Sequence, residues 1–386
     1  MGPWLLKAAK WAYSLTLGIK DWRFRVGAVV GIVGVAVVLW YATGGKPPDL
    51  PDVPPDWFKP GWVDDKQAVA AVVAEMPIKA FADTPAFREA EAEPKFVYLW
   101  DAVRKVNGGK IPVKNQNPIG SCVSFGTNTA LERTLAVDVA TLRRAEWMRI
   151  AEEVTYAGSR VEVGGGRISG DGSVGAWAAD FVRRWGVVGR AVHGQYDLTE
   201  YNPERCRSWG RSGVPAELEE VARQRPVKDT TRVTTWDEAK KALASGYGIA
   251  ICSNQGFSRQ RDANGVARAA GSWAHCMCLD GYHIDDNGRE YGHIENSWGP
   301  DYHVGPVGWG EPTTAGFWAE SSVVERMLRQ KDSWAFSGVK GFPLKRLDWR
   351  IRRNDRPARE VFDEGITRRF AHGLPARYRA GEFAGR

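Results

Sequence analysis

Apolar and polar residues alternate along the chain with two different periodicities, which divide its central part into a helical and a strand-rich region. Between residues 122 and 157, apolar side chains such as Leu131 and Leu135 recur at helical spacing. Residues 236–243 carry a further helix signal. Strand signals follow at residues 247–252, 275–279 and 291–296. The pattern predicts an α+β fold in which a helical lobe precedes a β lobe.

A separate apolar run, VGAVVGIVGVAVVLWYA, occupies residues 26–42 and contains no charge in seventeen residues. This length is at the short end of what crosses a bilayer and exceeds the apolar core of a typical signal peptide. Cleavage after Ala42 is disfavoured because the bulky Trp40 would occupy a position that requires a small residue. We therefore predict a retained transmembrane helix. A buried helix or hairpin of a soluble core is the alternative.

The charges on either side of this run predict its orientation. Residues 1–25 contain five basic residues and one acid, whereas acidic residues dominate after the span. The positive-inside rule places residues 1–25 in the cytoplasm and the remainder of the chain on the other side. Residues 43–95 begin with a proline-rich spacer and continue into an Ala- and Glu-rich stretch, residues 66–92, that predicts a helix.

The C-terminal region, residues 331–386, is basic. It holds 14 Lys and Arg against 7 Asp and Glu, a surplus that equals the formal net charge of +7 of all 386 residues. Several arginines there are interleaved with aromatic residues, a pattern typical of segments that bind nucleic acid or an acidic partner. A solvated tail, or one docked on its own domain, is the simpler alternative.

Cys122 is the first candidate for chemistry. It follows Gly120-Ser121, which suits a tight turn, and precedes the long helical pattern. A free thiol with a pKa of ~8.5 is mostly protonated at neutral pH, but an imidazolium and a helix N-terminus lower that pKa. We therefore expect a standing thiolate at the first helical turn, where backbone N–H groups can also face an oxyanion.

Three separated segments together resemble the papain family of cysteine peptidases: Asn115-Gln116 with Gly120-Ser121-Cys122, the downstream His275, and Asn296-Ser297-Trp298-Gly299. The resemblance implies a papain-like two-lobe domain over residues 96–330. By the same resemblance Cys122 is the nucleophile, His275 the general base and acid, and Asn296 the group that orients the imidazole. Gln116 joins the Cys122 N–H in stabilising the oxyanion.

Two substrate-cleft residues are also implied by the resemblance. Trp298 would shield the Asn–His hydrogen bond from water at the edge of the cleft. Gly172, in a glycine-rich run, would let the backbone approach and pair with an extended substrate. The family often carries an inhibitory prosegment ahead of its catalytic domain. Residues 66–92 stand where one would lie but lack its pattern, so a spacer helix is favoured over a prosegment.

The chain also departs from the family pattern. Val123 follows the nucleophile where the family has Trp, and Ala274 precedes the histidine where Asp is frequent. Neither change removes a group that moves a proton, so we expect activity with altered substrate fit. The chain has five cysteines, and an odd number without regular spacing implies no disulfide framework. At most, Cys252 could pair with Cys276 or Cys278. A metal site built from these thiols is not favoured, and no cofactor is expected.

The sequence thus predicts a membrane-anchored cysteine endopeptidase that hydrolyses polypeptides through an acyl-thioenzyme. The protein would cross a membrane once, with its peptidase domain on the extracytoplasmic side, or it would be associated with a virion. Two alternatives stay open. One is a cell-wall amidase or endopeptidase that applies the same Cys–His chemistry to peptidoglycan. The other is a catalytically silent architectural protein of a virion or envelope.

Overall fold

The computed structural model describes residues 60–90, 94–142, 147–225, 227–345 and 347. The predicted membrane span at residues 26–42 and the basic tail beyond Leu347 lie outside these residues. Across the described segments, no helix combines the length and the apolar character needed to cross a bilayer.

The helical part of the fold surrounds one long central helix. In chain order the helices within residues 60–225 are α1 (Lys66–Glu75), α2 (Pro85–Arg88), α3 (Leu99–Val106), α4 (Cys122–Leu142), α5 (Glu152–Gly158), α6 (Gly175–Arg184), α7 (Pro203–Ser212) and α8 (Ala216–Arg223). A π-helical turn at Ser159–Val163 extends α5. Helix α4 is buried along most of its length, so it forms the spine of the domain.

Most strands in the described residues belong to one antiparallel sheet of seven strands. Strand β1 is Phe96–Tyr98, and Val192–His193 and Tyr196–Asp197 form the separate small hairpin β2–β3. The remaining elements are β4 (Asp229–Arg232), α9 (Trp236–Ala244), β5 (Ile249–Arg261), β6 (Ala267–Ile284), β7 (Glu290–Glu295), β8 (Phe317–Glu320), α10 (Ser321–Leu328) and β9 (Trp334–Ser337). Their order in the sheet is β4-β9-β5-β6-β7-β8, and β1 pairs with β6. The predicted mixture of helices and an antiparallel sheet is confirmed.

The predicted helix over residues 122–157 is divided in two. Helix α4 ends at Leu142, and the chain is extended at Ile150 before α5 begins. The backbone N–H of Ile150 donates to the Glu132 carboxylate on α4 at 2.8 Å. Lys114 lies 2.8 Å from both Glu132 and Glu152, so a buried ion cluster joins the two helices. Contacts between buried charged groups therefore hold α5 against α4. The periodicity of apolar residues does not predict this break between two helices.

The sheet continues past residue 330, where the sequence analysis ends the domain. Strand β9 lies between β4 and β5, with Trp334 paired to both Arg232 and Ala250. All four residues of β9 are buried. Residues 331–345 therefore complete the sheet and do not belong to a detached tail.

All five cysteines are buried free thiols. Cys252 lies directly opposite Cys276 in the β5–β6 pair, and their sulfur atoms are 2.7 Å apart. The structure thus places Cys276, and not Cys278, beside Cys252.

Helix α1 is an integral part of the core. Asp65 caps its N-terminus by accepting from the Ala68 N–H, and Val69 and Val72 are buried against α6. Because α1 is fixed in this way, the residues just before Asp65 are held close to the surface formed by α4 and the start of α6. That surface is the cleft described next.

Candidate active site

Cys122 is the first residue of α4, and its side chain is fully buried. Backbone N–H groups of Val123, of Gly61 and of Cys276 on β6 are directed at the sulfur. The N-terminus of the central helix therefore meets the sheet at the thiol. Since Cys276 follows His275 directly, the sequence-predicted cysteine and histidine arrive in the same part of the molecule.

His275 and Asn296 are joined by a buried hydrogen bond. His275 Nε2 donates to Asn296 Oδ1 at 2.9 Å. The same oxygen accepts the Ser297 N–H at 2.7 Å, which fixes the orientation of the amide. His275 lies on β6 and Asn296 directly follows β7, so the pairing of these two strands sets their separation. In a neutral imidazole that donates through Nε2, Nδ1 is the nitrogen that can accept a proton.

Trp298 lies against the His275 ring, with the ring centroids 4.4 Å apart. Its indole is buried and also contacts Trp273 and Tyr302, at centroid distances of 4.7 and 4.6 Å. This aromatic group excludes water from the imidazole. The structure therefore places Trp298 as a cover on His275 and not on an open substrate-facing surface.

Gln116 is tied to both sides of the site. Its Oε1 accepts from the Ser297 hydroxyl at 2.7 Å, and its Nε2 donates to the Ile119 carbonyl at 2.8 Å. Its backbone N–H donates to the Ser297 carbonyl at 2.8 Å. These bonds hold a carboxamide in the turn that leads into Cys122, so its position is coupled to the segment that carries Asn296.

Gly172 has its own backbone groups engaged within the lobe. Its N–H donates to the Tyr156 hydroxyl at 3.0 Å, and its carbonyl accepts from Arg160. The neighbouring Ser173 makes the extended pairing instead: its N–H donates to the Gly61 carbonyl at 2.8 Å, and its carbonyl accepts the Val63 N–H at 2.9 Å. Gly172 still lies where a side chain would crowd Gly61, since an added Cβ would be 3.0 Å from the Gly61 oxygen.

The strand that pairs with Ser173 is the chain's own segment of residues 60–63, here called the plug. The N–H groups of Gly61 and Trp62 both donate to the Ala274 carbonyl at 3.0 Å, and Trp62 pairs with Ser173 in parallel orientation. The plug therefore touches the residue before His275 on one side and the glycine-rich run on the other. Sequence reasoning missed it, because nothing local links Gly61 to Cys122.

Burial changes the protonation expected of Cys122 and His275. Burial raises the pKa of the Cys122 thiol, and the surrounding N–H groups offset this only in part. Burial lowers the pKa of His275 to about 3, although the bond to Asn296 acts in the opposite direction. The closed form therefore favours a neutral thiol and a neutral imidazole. Burial in this form therefore opposes the thiolate predicted from the sequence.

Acid should destabilise this closed form through His275. An unfolded imidazole takes up a proton near pH 6.5, whereas the buried one does so only near pH 3. The unfolded state thus binds more protons in this window, and stability is lost as the pH falls. The free energy of unfolding, measured by urea denaturation, should fall between about pH 7 and about pH 4.5. This fall should be roughly 2 kcal/mol smaller in His275→Asn than in the wild type. The partly exposed His193→Asn serves as control, and equal losses in all three proteins would contradict the prediction.

Within the part of the chain that the structure describes, one buried group brings three possible metal ligands within 4.8 Å: Asp280, His293 and Glu295. Arg133 already contacts the Asp280 carboxylate at 2.8 Å, and His293 Nδ1 contacts its other oxygen at 2.6 Å. The Thr313 hydroxyl donates to Glu295. A guanidinium in this place opposes a second cation, so we interpret the group as an ion-pair network that supports the sheet behind Asn296.

Comparison with known proteins identifies the family of the chain. The sequence profile of the papain family cysteine proteases matches residues 100–311, more than half of the chain. A search of curated proteins finds no significant match.

Several solved cysteine protease structures are similar to the chain. Xylellain from Xylella fastidiosa is 17% identical, with a TM-score of 0.45, and the match covers 75% of this chain and 95% of xylellain. Digestive procathepsin L 3 of the Tenebrio molitor larval midgut is 14% identical, with a TM-score of 0.46 and coverages of 87% and 100%. Bromelain from Ananas comosus is 18% identical, with a TM-score of 0.38 and coverages of 63% and 99%. On the strength of the profile match, the chain belongs to the papain family of cysteine proteases.

Proposed function

We propose that this protein is a latent cysteine endopeptidase that uses Cys122, His275 and Asn296. The observation that carries the proposal is the meeting of three elements: the thiol at the first turn of α4, the β6 strand beside it, and the His275–Asn296 bond. A helix N-terminus favours a developing anion, and an oriented imidazole can take and return a proton.

The reaction would begin once the plug leaves the cleft. His275 Nδ1 takes the thiol proton, and the sulfur of Cys122 attacks the scissile carbonyl carbon. The resulting oxyanion is stabilised by the Cys122 N–H and the Gln116 carboxamide. The imidazolium then protonates the leaving amine. Water, deprotonated by His275, attacks the thioester, and the departing thiolate regains its proton.

The proposal that the enzyme is latent rests on the plug, residues 60–63. It makes the two backbone hydrogen bonds with Ser173 and occupies the Ala274 carbonyl, which are groups that an extended substrate would use. Cys122 has no exposed surface while the plug is in place. Residues 60–63 would therefore act as an internal inhibitor, held in place by α1 in the core.

Membrane anchoring through residues 26–42 remains part of the proposal and rests on the sequence. The cytoplasmic side would then hold residues 1–25, and the peptidase domain would act on polypeptides on the opposite side. Binding of an acidic partner or nucleic acid by the basic C-terminal residues is likewise proposed from composition alone, as is a virion as the alternative location.

Digestion separates a peptidase from the alternatives. The Gly61→Ala protein is the suitable enzyme, because its added methyl group has no room beside Gly120 and should displace the plug. We expect it to fragment casein and to leave purified peptidoglycan intact. Release of soluble muropeptides without casein cleavage would favour the cell-wall alternative. Failure to cut either substrate, together with no mass gain from a thiol-directed epoxide, would favour a silent scaffold.

A further inference from the structure

A second histidine lies beside the Asn296 amide. The Nδ2 atom of Asn296 is 3.4 Å from Nε2 of His303, at the opposite end of the amide from the oxygen that faces His275. The His303 side chain is only 2% exposed and contacts the rings of Tyr302 and Phe317, at centroid distances of 4.8 and 4.5 Å. The contact between Asn296 and His303 is therefore an interior one, where polar atoms depend on each other for hydrogen bonds.

Backbone pairing brings His303 to this position. The carbonyl of the next residue, Val304, accepts from the Arg261 N–H at 2.9 Å, and the Val304 N–H donates to the Arg259 carbonyl at 3.0 Å. Both arginines lie on β5. The segment that carries His303 is therefore attached to β5, and it is held in place independently of Asn296.

The donors around Asn296 determine which nitrogen of each imidazole carries a proton. The Ser297 backbone N–H can only donate, so the Asn296 atom that it contacts at 2.7 Å must be the amide oxygen. That oxygen accepts from His275 Nε2, and the amide nitrogen at the other end can only donate. His303 Nε2 is then an acceptor, so the His303 ring is neutral and carries its proton on Nδ1.

Burial keeps His303 in this neutral form. It lowers the pKa of the imidazole to about 3, and the guanidinium groups of Arg261 and Arg259 act in the same direction. Backbone carbonyl groups of Ser258 and Arg259 act against this shift. A protonated His303 would present an N–H to the N–H group of Asn296, which is a contact between two donors. The neutral ring is therefore the form that matches the amide.

The orientation of the Asn296 amide sets the tautomer of His275. With the oxygen toward His275, Nε2 carries the proton and Nδ1 can take the thiol proton. If the amide turned over, its nitrogen would face Nε2, and the proton of His275 would move to Nδ1. The terminal torsion of asparagine is broad and roughly two-fold, so two contacts restrain it better than one. The Ser297 N–H holds the oxygen end, and His303 holds the nitrogen end.

We propose that His303 is a positioning residue: as a hydrogen-bond acceptor, it keeps the Asn296 amide turned with its oxygen toward His275. The inference rests on the proposed peptidase function, because His303 acts through the histidine of that reaction. It gives a role to a buried imidazole that the reaction of Cys122, His275 and Asn296 does not itself use.

Nuclear magnetic resonance of the full chain, with ¹⁵N in its histidine rings, tests the proposal without turnover. Long-range ¹H–¹⁵N spectra show which ring nitrogen carries the proton, and single substitutions assign His275 and His303. We expect His275 to be protonated on Nε2 and His303 on Nδ1. In His303→Phe, which keeps a planar ring without an acceptor, a form of His275 protonated on Nδ1 should appear. In His303→Gln, whose side-chain oxygen can accept in place of Nε2, His275 should keep its wild-type tautomer.

Turnover gives a second measurement, in proteins that also carry Gly61→Ala. His303→Phe should lower kcat about tenfold with KM unchanged, because proton transfer is impaired and substrate contacts are not. His303→Gln should restore most of kcat. The control is His283→Phe, which replaces an imidazole on β6 that stacks on Trp309 and should leave kcat unchanged.

A wild-type His303 protonated on Nε2 would overturn the proposal. So would a His275 tautomer or a kcat that does not change in His303→Phe, and so would an equal loss of kcat in the Phe and Gln variants, which would assign His303 to packing alone. If His303→Phe does not fold, the wild-type tautomer of His303 decides. A Gly61→Ala protein that cuts no peptide would refute the peptidase function alone, because the spectra report the tautomers without any reaction.

Discussion

Replacing Cys122 by alanine is expected to abolish peptide hydrolysis, with a fall in kcat of at least about a thousandfold in the opened Gly61→Ala protein. The reason is that the acyl group has no acceptor once the sulfur is gone, and positioned N–H groups alone supply only part of the acceleration. The measurement is the rate of cleavage of a fluorogenic peptide, paired with intact mass after incubation with a thiol-directed epoxide.

The matched control is Cys278→Ala, which truncates another fully buried thiol on β6. That variant should retain turnover and gain one inhibitor mass, because the reactive sulfur is untouched. Cys122→Ala should gain no mass. Comparable hydrolysis by the Cys122→Ala protein, or inhibitor bound to it, would show that the nucleophile lies elsewhere.

The core of this site could be predicted from short sequence segments. The turn residues Gly120-Ser121 and the helical pattern after Cys122 predict a thiol at a helix start, which is what α4 provides. The alternation around His275 predicts a strand, and β6 is one. These are local signals, set by backbone geometry and period, and local signals are what one sequence carries well.

What the sequence did not reveal depends on contacts between distant segments. Ser173 and not Gly172 makes the extended pairing, because Tyr156 and Arg160 already use the glycine backbone. The contact between Trp62 and Asp332 spans 270 residues, and neither residue has a neighbouring motif that marks it. The neutral state of Cys122 and His275 follows from the burial of both groups, so it could not be foreseen from the residue types alone.

The second large effect is expected from Gly61→Ala, which should make Cys122 reactive. A Cβ at position 61 would lie 1.9 Å from the Gly120 carbonyl oxygen and 2.3 Å from its carbon. The atoms that this Cβ would meet are backbone atoms in the turn before Cys122, so they cannot move aside as a flexible side chain would. The plug must therefore shift away from the cleft. Overpacking of this kind costs about 1–3 kcal/mol, which converts to roughly a 5- to 150-fold rise in the rate of Cys122 alkylation.

Iodoacetamide labelling followed by peptide mapping measures that rate at Cys122 itself. Gly170→Ala is the matched control, because an added Cβ there meets no atom within 4 Å and its backbone needs no special conformation. It should label as slowly as the wild type. Should Gly61→Ala also stay unreactive while remaining folded, the plug would not be what closes the cleft. A reactive Gly61→Ala protein would instead show that four residues of the chain keep the Cys122 thiol from reacting.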